Sequence, residues 1–258
     1  MSFTVSHAAA ALPFYKSRLC FPAIVVGCMV PDFEYFIYFE YIRRGAHSLG
    51  GLFYFCIPVG LIILLLYYKV WRYLIADLCP DHIRNRLLKI NEQEFKFFPV
   101  KRFFIICLSL IVGAILHNAW DLISHNFGLG PKIFPWLLER IPYLHLHWWA
   151  LFYGLGSLVG MILLMAAVLV KLATVKPVTN PPSRIIPNKQ VTAGIILFGI
   201  VFAIAFGLSA PQYGDYHISR TVAHIGLGVI NYTIISVTLI GIWHRLKPVI
   251  DDLMPDFN

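Results

Sequence analysis

Long apolar blocks alternate along this chain with short basic segments. A helix needs about 20 residues, at about 1.5 Å rise each, to cross the hydrocarbon core of a bilayer. Leu49–Tyr68, Phe103–Ile123, Trp148–Val170, Val191–Ala210 and Thr221–Trp243 all reach that length. Phe21–Ile42 is apolar too, but Asp32, Glu34 and Glu40 interrupt it. The pattern predicts an all-α, polytopic integral membrane protein. It has five clear transmembrane helices and a polar-interrupted, membrane-embedded N-terminal region. Composition agrees: 59% of residues are hydrophobic and 13% charged, where soluble domains carry about 25% charged residues. The N-terminus lacks the pattern of a cleavable secretory signal, so the spans themselves are expected to direct insertion.

The net charge of +8 is distributed unevenly. Lys69–Arg102 carries eight lysines and arginines and Lys171–Gln190 carries four, with Arg245 and Lys247 in the tail. Asn126–His147 has only Lys132 and Arg140, and Pro211–Arg220 only Arg220. The positive-inside rule therefore places the basic segments and the C-terminus in the cytoplasm. The expected setting is a bacterial inner membrane crossed several times, with membrane lipids as partners. No basic, aromatic-interleaved patch stands apart from the membrane flanks, which argues against a nucleic-acid partner. Substrate and oligomeric state stay open.

On this topology a polar cluster falls in the outer part of one span. Ala114-Ile-Leu-His117-Asn-Ala-Trp-Asp121-Leu-Ile-Ser-His125 puts His117, Asp121 and His125 on one helix face, four residues apart. Ionisable groups at membrane depth are costly and mark sites with partners. His and Asp at that spacing can hold one metal ion. The bland alternative is a structural His–Asp hydrogen bond between helices. His47-Ser48 opens the Leu49 span from the same side, and His145 and His147 open the Trp148 span.

The N-terminal third adds candidates. Ser6-His7 with its alanine run reads as a helix start with Ser6 as N-cap, and Pro13 shortens or kinks it. Val30-Pro31-Asp32-Phe33-Glu34 breaks the next stretch and offers Asp32 at a helix start. Glu34 reads as a partner of Arg43 or Arg44. Ser48 is expected to cap the next helix. The resulting set is His7, Asp32, His47, His117, Asp121 and His125. Imidazole and carboxylate suit a divalent metal, zinc first and manganese or iron as alternatives. Six ligands would fill one site and part of a second, and a two-metal centre suits phosphoester cleavage. Asp121 and Asp32 are the carboxylates to handle a proton.

Four separated motifs carry a resemblance. Phe3-Thr-Val-Ser-His7, Val26-Gly-Cys-Met-Val-Pro31-Asp32-Phe-Glu34, His47-Ser48 with Leu52–Leu61, and His117–His125 occur in this order. Together they resemble domain-of-unknown-function family 4184, bacterial membrane proteins, over roughly residues 1–165. The order is also similar to membrane-bound metal-dependent hydrolases and, more distantly, to zinc-dependent phospholipase C. That resemblance implies the same six ligands, with Asp121 as the bridge. The chain departs from the phospholipase pattern, which ends in His-x3-Glu: Leu151 stands four residues after His147, and Trp149 four after His145. A single metal and a degenerate site both stay open.

Other histidines read as structural. His145 and His147 lie beside Trp148 and Trp149 in an aromatic belt, and His224 reads as a packed span residue. A haem between His117 and His224 ranks third. Serine catalysis fits poorly, since no G-x-S-x-G elbow occurs. The five cysteines are scattered, with no CxxC, and disulfides are not expected. The prolines of Asn180–Pro187 suggest a linker between a histidine-bearing domain, 1–175, and a two-helix hairpin with a short tail, 190–258. Ile83–Ile90 reads as an amphipathic surface helix. The reading is a membrane-bound metal-dependent hydrolase of a phosphoester or lipid-like substrate at the outer face. The alternative is a transporter or scaffold using the cluster as an ion relay or polar core.

Overall fold

The computed structural model describes residues 4–39, 43–144, 146–184 and 217–253, with the backbone alone at 217–224, 244–245 and 247–253. Every named element among them is helical. Among the described residues, five helices are long and apolar enough to cross a membrane: Phe21–Tyr38, Leu49–Asp77, Val100–Ser124, Trp148–Thr174 and Ile225–Trp243. The expected span Val191–Ala210 lies outside the described residues, as does His145. All five cysteines are free thiols.

The chain divides into two compact units, the first comprising Met1–Glu34, Arg43–Leu64 and Phe95–Thr174. Its axis is Val100–Ser124. Ile106, Leu110, Gly113, His117, Asp121 and Ser124 are buried, at steps of three or four. That period keeps one stripe inward along the whole helix. The stripe is apolar at its start and polar at its end, while Phe104, Leu108 and Ile115 face outward. The predicted cluster is thus the last two turns of the packing face.

Phe21–Gly27 crosses this stripe at a pair of glycines. A Cβ on Gly27 would sit 3.0 Å from Gly113 Cα, and one on Gly113 would sit 2.8 Å from Cys28 N. Only small residues allow such backbone contact between membrane helices. Ala11, Ile24 and Cys28 pack beside the crossing as a fully buried apolar knot. The chain then breaks into a 3-10 turn, Val30–Asp32, before Phe33–Tyr38. Pro31 at the start of that turn accounts for the break.

The N-terminal element is a 3-10 helix, Thr4–Phe14, rather than an α-helix capped by Ser6. Ser6 lies inside it and is buried, with His7, Ala8, Ala9 and Ala11. Eleven residues is long for 3-10 structure, in which side chains three apart eclipse. Here Thr4 and His7 share one edge. The alanines let the element pack against both Phe21–Gly27 and Trp148–Thr174. A Cβ on Gly160 of the latter would sit 2.7 Å from the Ser6 carbonyl oxygen. Ser48 does cap its helix: its Oγ accepts from Gly51 N at 3.0 Å.

The second unit comprises Tyr35–Ile42, Leu65–Glu94 and Val175–Asn258. Its helix Asp81–Asn91 covers the expected surface helix but turns Arg84, Leu88 and Asn91 inward. Arg84 Nε donates to Asp77 Oδ1 at 2.5 Å, both side chains being buried. The start of the predicted linker is tied down there. Arg184 donates to the carbonyls of Asp77 and Cys79 and to Asp81, and Arg84 donates to the Pro182 carbonyl at 2.6 Å.

Candidate metal centre

The glycine crossing sets the first ligand. Because Gly27 and Gly113 touch, the Cys28 carbonyl reaches His117, whose Nδ1 donates to it at 2.8 Å. Nδ1 therefore carries the proton, and Nε2 presents a lone pair. His117 is fully buried, and its Nε2 makes no hydrogen bond. It stands 3.6 Å from Asp32 Oδ1 and 3.6 Å from Asp121 Oδ2. A buried acceptor without a donor costs roughly 1–3 kcal/mol unless something satisfies it.

His47 is built in the same way from a different carboxylate. Glu34 Oε1 accepts from His47 Nδ1 at 3.1 Å, so this ring too turns Nε2 inward. Glu34 is itself fixed, because Oε2 accepts the backbone N–H groups of Arg44 at 2.9 Å and Ala46 at 3.1 Å. Asn118 Nδ2 donates to the His47 carbonyl at 3.1 Å. His47 Nε2 lies 3.4 Å from Asp32 Oδ1 and 3.8 Å from Asp121 Oδ2. The other Asp32 oxygen accepts from Thr4 Oγ1 at 2.7 Å, which orients Oδ1 toward the histidines.

Four donor atoms thus converge: Asp32 Oδ1, His47 Nε2, His117 Nε2 and Asp121 Oδ2. The four His-to-carboxylate separations run from 3.4 to 3.8 Å. Two ligands bound at about 2.0–2.1 Å to a tetrahedral zinc ion stand roughly 3.3–3.4 Å apart. The donor set, its spacing and the unsatisfied His117 nitrogen all fit a divalent metal. Two overlapping groups, His7–His117–Asp121 and Asp32–His47–His117, each bring three ligand atoms within 4.8 Å of one another. His117 is common to both.

Asp121 faces both ways. Its Oδ2 looks toward His47 and His117, while Oδ1 is 3.2 Å from His7 Nε2 and 3.4 Å from His125 Nδ1. His7 also stacks on His117, with centroids 4.2 Å apart. His125 follows the helix end, where Ser124 Oγ lies 3.2 Å from its Nδ1. Burial is the main cause holding the His125 pKa down, to about 4, with Asp121 opposing and Arg43 adding to the depression. Its ring is therefore neutral around pH 7.

All six predicted residues meet here, with His125 at the edge and outside both three-ligand groups. His147 does not join them; its Nδ1 donates to the Leu138 carbonyl at 2.7 Å on the surface. The side chain of His224 lies outside the described residues. Sequence reasoning missed three supports. Glu34 holds His47, and Thr4 and the Cys28 carbonyl hold Asp32 and His117. It also missed Arg43, whose Nη2 donates to Asp121 Oδ2 at 2.5 Å.

Comparison with known proteins adds one finding. The chain matches the family described as domain of unknown function (DUF4184) over residues 1–252, and it belongs to that family. The match runs past the four motifs and through the C-terminal helix, further than the expected 1–165. No curated protein and no solved structure matches.

Proposed function

We propose that this DUF4184 protein is a membrane-bound metal-dependent hydrolase. Its substrate would be a phosphoester or lipid-like molecule at the outer face of a bacterial inner membrane. The observation that carries the reading is the set of four His-to-carboxylate separations, 3.4–3.8 Å, that link Asp32 Oδ1 and Asp121 Oδ2 to His47 Nε2 and His117 Nε2. A divalent ion bound there, zinc or else manganese or iron, would supply a water of lowered pKa and polarise an ester oxygen.

The chain's own residues have separable tasks. His117 and His47 bind through Nε2, each oriented from behind by an oxygen acceptor. Asp32 and Asp121 bind and are the carboxylates in reach to accept a proton. His7 or His125, against Asp121 Oδ1, can take part in passing it outward. Asp32 lies in the candidate span Phe21–Tyr38, and His117 and Asp121 lie in Val100–Ser124. That depth favours an amphiphile over a water-soluble ester. The outer-face assignment rests on the excess of basic residues in 69–102 and 171–190 over 126–147.

A second reading has one observation in its favour. The Arg43–Asp121 pair balances a buried carboxylate without any ion, as a structural polar core or an ion relay would. Metal content decides between them. Detergent-purified wild type and a His117→Ala/Asp121→Ala double variant would be compared by inductively coupled plasma mass spectrometry. Near-stoichiometric metal in wild type, lost in the variant, supports the hydrolase. Wild type purified without chelators and lacking metal refutes it.

A further inference from the structure

The segment that joins Val100–Ser124 to Trp148–Thr174 turns apolar side chains outward. From Phe127 to Leu146 only Lys132, Glu139 and Arg140 are charged. Leu129, Ile133, Trp136, Leu138, Tyr143 and Leu144 are all exposed. Apolar surface gathered in this way marks an interaction site.

The segment is nonetheless pinned to the helix that follows it. Leu137 is fully buried. Trp136 meets Trp148 and Phe152 edge-on, at 6.1 and 5.9 Å. The Glu139 carbonyl accepts from Trp148 N at 3.2 Å, and Ile141 N donates to the Leu146 carbonyl at 2.7 Å. Arg140 and His147 pair as an antiparallel bridge. The result is a hairpin standing on the first turn of Trp148–Thr174, with Pro142, Tyr143 and Leu144 at its tip.

The tip is strained. Tyr143 has a φ of 69°, a left-handed conformation that is an outlier for a bulky residue. Its side chain is 99% exposed, so packing within the chain does not offset that cost. Leu144 beside it is 61% exposed. Strain that the chain itself does not offset points to a contact outside it.

Continuity with the flanking spans identifies that contact. The two helices have 25 and 27 residues. They are therefore about 37 and 40 Å long, against a hydrocarbon core of about 30 Å. Ser124 and Trp148 reach the same membrane–water boundary, where tryptophan and tyrosine concentrate. Lys132 and Arg140 against Glu139 leave the segment weakly cationic, which suits a lipid headgroup layer.

We propose that the 127–146 segment is an interfacial anchor whose partner is the lipid bilayer. The Arg140–His147 hairpin sets Tyr143 and Leu144 about 5–10 Å into the headgroup–acyl boundary. The inference does not depend on the metal reading. It bears on the site by position, because Phe127, where the anchor begins, meets His125 edge-on at 5.0 Å.

The test is nitroxide labelling of single cysteines in the full chain, held in nanodiscs of phosphatidylethanolamine and phosphatidylglycerol. Cys79 and Cys107 are first replaced by serine; the other three cysteines are buried. Labels go on Tyr143→Cys and Leu144→Cys. Leu158→Cys, exposed in the middle of a span, and Lys89→Cys, on a half-exposed charged residue, are the references. Power saturation reads collisions with oxygen, which enters the bilayer, and with a water-soluble nickel chelate. Both tip labels are expected to lose the nickel effect and keep the oxygen effect, as Leu158→Cys does and Lys89→Cys does not. Nickel access at the tip equal to that at Lys89→Cys overturns the anchor. Protection from both reagents, or spin–spin broadening that unlabelled chain dilutes away, puts protein on the tip and overturns the lipid assignment. Leu129→Cys, exposed on the same segment, replaces either tip variant that misfolds and is read in the same way.

Discussion

Replacing Gly113 with alanine should damage the proposed metal centre, which Gly113 never touches. The added Cβ would lie 2.8 Å from Cys28 N, 0.6 Å short of the 3.4 Å at which ordinary contact begins, and closer still to the Ile24 carbonyl oxygen. Both obstacles are backbone, so the helices must separate. Even the 0.6 Å that the Cys28 N contact alone requires stretches the 2.8 Å bond from His117 Nδ1 to the Cys28 carbonyl to about 3.4 Å. That is outside the working range of about 2.7–3.2 Å. Overpacking of this kind costs about 1–3 kcal/mol. Loss of a bond that orients a ligand weakens metal affinity by about 10- to 100-fold. Gly154→Ala is the control. Gly154 lies in the Trp148–Thr174 helix, is exposed, and would place its Cβ in open space. There alanine should be neutral or stabilising by about 0.4–1 kcal/mol. Thermal unfolding in detergent and cobalt titration read the two effects separately. A Gly113→Ala protein with wild-type melting and wild-type cobalt affinity would refute the claim that the glycine crossing positions His117.

Two more outcomes follow from particular contacts. Glu34→Gln keeps the shape but removes the charge that holds His47 Nδ1 and two backbone N–H groups; metal affinity should fall by about 10-fold or more, by the same titration. Arg84→Ala leaves Asp77 buried without its 2.5 Å partner and also frees the Pro182 carbonyl; melting in detergent should report a loss of about 3–5 kcal/mol, and an unchanged melt would sink the idea that this pair anchors the second unit.

Much of the site was legible because its ligands are side chains with chemical identities and periodic spacing. His117 and Asp121 announce a shared helix face by their separation of four, and Ser48 announces a cap by its place before an apolar run. Three features had no such signature. A backbone carbonyl has no letter of its own, so the role of Cys28 depends on two glycines that only the packed structure brings together. Proximity in sequence pairs Glu34 with Arg43 or Arg44. Its carboxylate instead accepts the Arg44 and Ala46 backbone N–H groups and His47. Arg43 reaches a carboxylate 78 residues away. The Ser6 cap failed because tertiary contact outweighed local propensity: a tighter 3-10 coil lets small residues lie flat against two helices.

His7 and Asp121 are 114 residues apart. During synthesis the N-terminal 3-10 helix leaves the ribosome long before the carboxylate it contacts, and longer still before Gly160, whose missing side chain makes room for Ser6. A nascent chain therefore carries an alanine-rich, His7-bearing segment that cannot reach its resting place until the Trp148–Thr174 helix has been made. Assembly of the cluster is then a late event in biogenesis, and metal acquisition would be confined to chains whose first segment has come home.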